Sequence, residues 1–243
     1  MRVVTFNIHH GTVGKEGRVD PEQLGATCAA FEADLIALQE VDLHTYRTGR
    51  ADLAGVVAAA CGMEHAFGPS RRFPGGWYGN ALLVRGAIAS WSVEPLPRVP
   101  RGRWWQERRT VLEAVVEVRG TTLSVSATHL AVPRAVSTVQ LHRLLDRART
   151  RPPGLVLGDL NLRPSVVGPV ARAAGFELVT HDPTSPATDP LVSIDHVLVS
   201  PGLVATNPAV VVTAMSDHAA LLVEVAEDVE GSTGVATIAG TGR

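Results

Sequence analysis

Only two cysteines, Cys28 and Cys61, occur in 243 residues. They are too few and too far apart for a disulfide framework or a paired zinc spacing. Both are expected as small core residues, one within a helix and one at a helix end, in a reducing compartment. Lysine is almost missing: Lys15 is the sole example, and every other basic side chain is arginine. Codon bias accounts for this, and selection of arginine for phosphate forks concerns at most a few positions. No run of about 18 apolar residues exists, so no transmembrane helix is expected. No charged leader followed by an apolar stretch precedes the strand Arg2–Phe6, so no signal peptide is expected and the compartment is read as cytoplasmic. The absence of G-x-S-x-G, H-E-x-x-H and a P-loop argues against an α/β serine hydrolase, a zincin and a P-loop nucleotidase. A large charge of either sign is also lacking. The net charge is −2, which argues against a protein that coats duplex DNA with a basic face but leaves room for a local basic groove.

What is present is a globular composition, 45% apolar and 19% charged, long enough to bury about 70–75% of its unfolded surface. Apolar runs at Val3–Ile8 and Asp34–Glu40 read as strands. Asp20-Pro21-Glu22 reads as an N-cap, a first-turn proline and an acidic first turn, opening a helix to about Phe31. A second helix is expected from about Ala51 to Cys61, stopped by Gly62. Strands follow at Asn80–Val84, Ile88–Val93, Thr110–Val118 and Thr121–Thr128, the last two around the turn Arg119-Gly120. A helix from about Ala135 to Arg149 carries Val136, Val139, Leu144 and Leu145 near one face. Later elements are a strand at Gly154–Leu157, a helix at Val166–Ala174, a short strand at Phe176–Val179, and strands at Ile194–Val199, Leu203–Val212 and Ala219–Val225. The order of elements in the two halves suggests a pseudo-repeat. One domain over residues 1–226 is expected, with a disordered Gly-, Thr- and Ala-rich tail over 227–243.

The informative pattern is where polar residues sit. Several buried strands stop or start at a short polar cluster: Asn7-Ile8-His9-His10, Gln39-Glu40-Val41-Asp42, Thr128-His129-Leu130, Gly158-Asp159-Leu160-Asn161, Ile194-Asp195-His196 and Ser216-Asp217-His218. Singly, each reads as a cap or a turn. Repeated at the ends of buried strands, carboxylates, carboxamides and imidazoles are costly to desolvate unless they partner one another. Carboxylates with amide oxygens suit a hard cation such as Mg²⁺ or Mn²⁺. Phosphoester hydrolysis needs such a cation, a positioned water and donors aimed at the transition state.

Together with Leu38-Gln39-Glu40-Val41 and Tyr78-Gly79-Asn80, these clusters resemble the ordered motif set of the endonuclease/exonuclease/phosphatase superfamily, the DNase I-like proteins, over residues 1 to about 225. The opening Thr5-Phe6-Asn7-Ile8-His9-His10-Gly11 is similar to that of small bacterial members. The resemblance implies an α+β fold: a four-layer α/β sandwich of two facing, mostly antiparallel sheets flanked by helices. It implies a metal-dependent hydrolase of phosphoester bonds, with Glu40 as principal metal ligand, Asn7 assisting and Asp217 completing the acidic side directly or through water. Asp159 would orient or deprotonate the attacking water, and Asn161 and His129 would donate to phosphoryl oxygens. His218 would act as base or stabilise the transition state, with Asp195 fixing its tautomer. Ser193 stands where relatives often carry Arg.

Substrate contacts are expected from His9, Asn80, Arg103 and Trp104. His9 reads equally as a solvated loop histidine. The segment from Arg98 to Arg109 reads either as a basic, aromatic substrate loop or as a loop whose tryptophans close the core edge. Arg47, Arg71 and Arg72 carry the same two readings. The substrate is open among nucleic acid, phospholipid headgroup and small molecule, diester or monoester, and the molecule is expected to be a monomer. The competing class is a non-catalytic binding module on the same fold.

Overall fold

A computed structural model describes residues 1–14, 17–99, 107–151 and 153–228. The first sheet is built from β1 (Arg2–Asn7), β4 (Leu35–Leu43), β5 (Glu64–Phe73), β6 (Gly76–Val84), β13 (Leu203–Val211) and β14 (Ala220–Glu227), in the order β13-β14-β1-β4-β6-β5. The second contains β7 (Gly86–Pro95), β8 (Thr110–Val118), β9 (Thr121–His129), β10 (Gly154–Asp159), β11 (Glu177–Leu178) and β12 (Asp195–Val199), in the order β11-β12-β10-β9-β8-β7. A small hairpin, β2 (Thr12–Val13) with β3 (Arg18–Val19), lies in the loop after β1. The helices are α1 (Pro21–Ala29), α2 (Leu53–Cys61), α3 (Arg134–Ala148) and α4 (Pro164–Ala173).

Period-two alternation explains why the central strands read as unbroken apolar runs. In β1, Val3 points into the core between the sheets, while Val4 and Phe6 point toward α1 and α2. In β4, Leu35 and Ala37 take the first direction and Ile36 and Leu38 the second. In β10, Leu155 and Leu157 face the inter-sheet core and Val156 packs under α3 and α4. The layers are therefore helix, sheet, sheet, helix, as the resemblance implied. Each fully buried Leu, Ile or Phe contributes about 1.5–3 kcal/mol.

Asp20 caps α1 by accepting from the Gln23 N–H, and Asp52 caps α2 through Gly55. Both cysteines are buried and free, within α1 and at the end of α2. Val139 of α3 points outward, 43% exposed, and the helix instead buries Gln140 and Leu141. The strand β5 is absent from the expected elements because Gly68, Pro69 and its arginines break any apolar run. It lies at a sheet edge, the position where proline is tolerated. The last strand begins at Ala220, so Ser216, Asp217 and His218 belong to the loop that feeds it.

Among the described residues two strand pairs are parallel, β1 with β4 and β9 with β10; the remaining neighbours are antiparallel. Each parallel pair brings two carboxyl ends to one edge of its sheet. That edge carries the polar clusters.

Candidate active site at the strand ends

In the second sheet, one rung aligns three of the expected residues. Asp159 at the end of β10 is in register with His129 of β9 on one side and with Asp195 of β12 on the other. Glycine at 158 makes the approach possible: its φ is 148°, and a Cβ there would overlap the Thr128 carbonyl. In the first sheet, Asn7 ends β1 in register with Gln39 of β4. The next residue, Glu40, sits at a bulge where the β4–β6 register shifts between Leu38 and Val41. Such a bulge re-aims a side chain, and Glu40 adopts φ 59°.

The Asn7 amide joins the two sheets. Its Nδ2 donates to Glu40 Oε1 at 3.2 Å and to Asp159 Oδ2 at 3.1 Å. Asp159 Oδ1 accepts the Asn161 backbone N–H at 2.9 Å. Asn161 Nδ2 donates to the Leu130 carbonyl at 3.0 Å and lies 3.1 Å from His129 Nε2. His218 Nδ1 donates to Asp195 Oδ2 at 2.9 Å, and the opposite nitrogen, Nε2, lies 4.0 Å from Asp159 Oδ2. The loop carrying His218 is pinned by Ser216, whose hydroxyl donates to the Asn7 carbonyl at 2.6 Å and accepts the His218 N–H. Asp195 also accepts from the Thr184 hydroxyl at 2.6 Å.

Burial and charge set the protonation states. Desolvation of the His218 ring opposes its charge, but the hydrogen bond and charge of Asp195, then Asp159 and Asp217, outweigh it and hold the imidazole up to about 9. Burial, then the charge of Asp195, pushes Asp159 well above the usual carboxylate range, against the pull of His218, Asn161 and Asn7. Burial, with the charges of Arg109 and His218, holds His129 well below 6.5 and therefore neutral. Its Nδ1 is buried without a hydrogen-bond partner among the described residues, as is Asp195 Oδ1.

Asn7, Glu40, His129, Asp159, Asn161, Asp195 and His218 thus form one connected cluster. Asp217 stands beside it: its side chain is 61% exposed, and its Oδ1 lies 3.6 Å from Nδ1 of the half-exposed His9. Asn80 is buried and its Nδ2 donates to the Thr110 carbonyl, which also accepts the Thr128 hydroxyl. Arg103 and Trp104 lie outside the described residues. Arg47 clamps buried Asp42 at 2.6 and 2.8 Å and stacks on Phe73. Arg71 pairs with Glu107 and Arg72 stacks on Trp77.

Three contributors were not singled out from sequence. Thr184 comes from a loop with no motif. His10 stands out in the sequence only together with His9; it shares the turn after β1, where burial, then Arg47 and His9, lowers it to about 4. Arg109 reads in the sequence as one of a basic run, yet it is 5% exposed, and its charge reaches His129. Its place immediately before an apolar strand was the available signal.

Asp159, Asp195 and His218 offer ligand atoms within 4.8 Å of one another, and His9, His10 and Glu40 form a second such group. Asn7 Oδ1 accepts the His9 N–H at 3.1 Å, so the Glu40 carboxylate, with Asp159 held to it through the Asn7 amide, supplies the oxygen donors that fit a divalent cation.

A family model described as the Endonuclease/Exonuclease/phosphatase family matches residues 4–218. The chain belongs to this family. Its fold generally serves phosphoester hydrolysis with divalent metals. A family structure from Beutenbergia cavernae superposes with a TM-score of 0.78 at 24% identity, over 93% of this chain and 71% of the other. A Bacteroides thetaiotaomicron mannosyl-6-phosphatase gives 0.72 at 14% identity, over 93% and 99%. The human Nocturnin catalytic domain with a bound sulfate anion also gives 0.72, at 17% identity over 94% of each chain. No curated protein sequence is significantly similar to this one. Among the described residues no helix is long and apolar enough to cross a membrane.

Proposed function

We propose that this family member is a divalent-metal-dependent hydrolase of a phosphodiester. The observation that carries the reading is the unbroken chain Glu40–Asn7–Asp159 across the two sheets, with the Asp195–His218 pair facing Asp159. A cation held by Glu40, with Asn7 and Asp217 assisting, would offset charge on the phosphoryl oxygens and acidify the attacking water.

The chain's own residues supply the rest. Asp159, held by the Asn7 amide and the Asn161 N–H, takes the proton from the attacking water. Its raised pKa makes it a stronger base than an ordinary carboxylate. His218, charged at neutral pH, donates from Nε2 to the phosphoryl group as negative charge grows there. Asp195 fixes the tautomer and orientation of that ring. His129 and the Asn161 amide, bonded to each other and to the Leu130 carbonyl, would turn to the remaining phosphoryl oxygens when substrate binds.

The diester reading rests on charge. Among the described residues, Arg47 and Arg71 are already engaged by Asp42 and Glu107, which suits a singly charged group better than a dianion. A phosphomonoester is the second reading, favoured by the likeness to the mannosyl-6-phosphatase. Chelator-stripped protein assayed on bis-p-nitrophenyl phosphate and p-nitrophenyl phosphate, before and after adding Mg²⁺ or Mn²⁺, tests the proposal. Turnover of the diester only with metal supports it; equal turnover without metal contradicts it. Salt dependence of DNA binding then separates a nuclease from an enzyme for lipid or small-molecule diesters, because only extensive phosphate contact gives a steep slope.

A further inference from the structure

Glu40 has neighbours that the reading above does not use. The chain leaves β1 through a one-turn 3₁₀ segment, His9–Gly11, that places two imidazoles beside the bulge of β4. Ligand atoms of His9, His10 and Glu40 lie within 4.8 Å of one another. All three residues adopt left-handed backbone, with φ of 42°, 47° and 59°. The two rings meet edge to face at 4.5 Å between centroids. His10 Nδ1 is buried without a hydrogen-bond partner among the described residues. The nearby Arg47 does not serve it, being committed to Asp42 through Nε and Nη2. His9 presents Nδ1 toward Asp217 at 3.6 Å, the arrangement in which a carboxylate orients a ligating imidazole through its second nitrogen.

We propose that His9 and His10 complete the Glu40 metal site, making it a mixed nitrogen–oxygen site that prefers Mn²⁺, Co²⁺ or Zn²⁺ to Mg²⁺. The inference rests on the reading of Glu40 as a metal ligand and deepens it. Donor atoms around an ion at about 2.1 Å lie about 3–3.5 Å apart, so the three side chains close on an ion by small rotations. Imidazole nitrogen suits the first-row transition ions, whereas Mg²⁺ keeps to oxygen and water. Asp217 then acts through His9 rather than as a direct ligand, in keeping with its exposure.

The test reads binding, not turnover. Chelator-stripped protein is titrated calorimetrically with MnCl₂ and MgCl₂, and the Mn²⁺-loaded protein is examined by pulsed EPR for nitrogen coupling. The proposal expects Mn²⁺ to bind at least about tenfold tighter than Mg²⁺, with nitrogen coupling in the wild type. His10→Ala should weaken Mn²⁺ about 10–100-fold, leave Mg²⁺ within about twofold, and lose part of the coupling. His10→Gln keeps the size and polarity of the site and should show the same loss if His10→Ala does not fold. His218→Ala should retain both the affinity and the coupling. Mn²⁺ binding that needs Glu40 but shows no nitrogen coupling overturns this inference and leaves the Glu40 reading standing. Coupling lost in His218→Ala but kept in His10→Ala places the ion in the Asp159–Asp195–His218 group and also overturns it. No binding of either ion overturns both readings.

Discussion

Asp195 Oδ2 accepts the Nδ1 proton of His218 at 2.9 Å, while the far nitrogen of the same ring lies 4.0 Å from Asp159. One imidazole thus stands between two buried carboxylates brought together by adjacent strands. This arrangement keeps the ring charged at neutral pH and makes it a donor rather than a base.

Replacing Asp195 should release that charge. In Asp195→Asn the His218 pKa should fall from about 9 toward or below the ordinary value, because desolvation then meets less opposition. Diester turnover should fall about 100- to 10,000-fold, the range seen when an orienting carboxylate or an acid–base group is lost. Histidine NMR titration of the metal-free protein checks the first outcome and steady-state kinetics the second. An unchanged His218 titration would contradict the arrangement.

The same pair predicts a pH dependence of stability. The folded pKa of His218, about 9, lies above its ordinary 6.5. The group therefore contributes stability that is fully present below about pH 6.5 and is lost as pH rises through about 9. Thermal melting of the metal-free wild type should exceed that of Asp195→Asn most at the low end of this window, and the gap should narrow across it. A gap that widens with pH would have the wrong sign.

Asn7 links Glu40 to Asp159, so Asn7→Ala should cost more activity than stability. Loss of these charge-assisted hydrogen bonds is expected to remove about 1.5–3 kcal/mol of interaction, or roughly 10- to 150-fold in turnover if it acts on the transition state. Kinetics and denaturant unfolding on the same preparation check the split. Loss of stability with full turnover per folded molecule would assign Asn7 a structural role alone.

Gly158→Ala should damage fold and site together. The added methyl overlaps the Thr128 carbonyl between β9 and β10, so the parallel pair must separate at the level of His129 and Asp159. A loss of about 2 kcal/mol or more is expected, the scale of local strain with broken ladder bonds. The urea midpoint measures it, and an unchanged midpoint would contradict the register.

Much of this was legible in the sequence because strand and loop physics act locally. Asn7, Glu40, Asp159, Asp195 and His218 stand out as polar groups at the ends of apolar runs, and the four layers follow from the family resemblance those groups carry. The edge strand β5 was hidden because half-buried Arg71 and exposed Arg72 with Pro69 leave no periodic signal. The roles of Thr184 and Arg109 were hidden for another reason: each is defined by a partner distant in sequence, Asp195 being 11 residues from Thr184 and Arg109 acting on His129 across strands. Arg47, readable from sequence as a substrate contact, is held by Asp42 five residues earlier.

The most direct test of the central claim compares wild type, Glu40→Gln and His218→Ala on bis-p-nitrophenyl phosphate with saturating Mn²⁺, each shown to be folded by circular dichroism. The account predicts metal-dependent turnover in the wild type and a loss of at least about a thousandfold in each variant. Turnover in folded His218→Ala or Glu40→Gln equal to that of the wild type would contradict it.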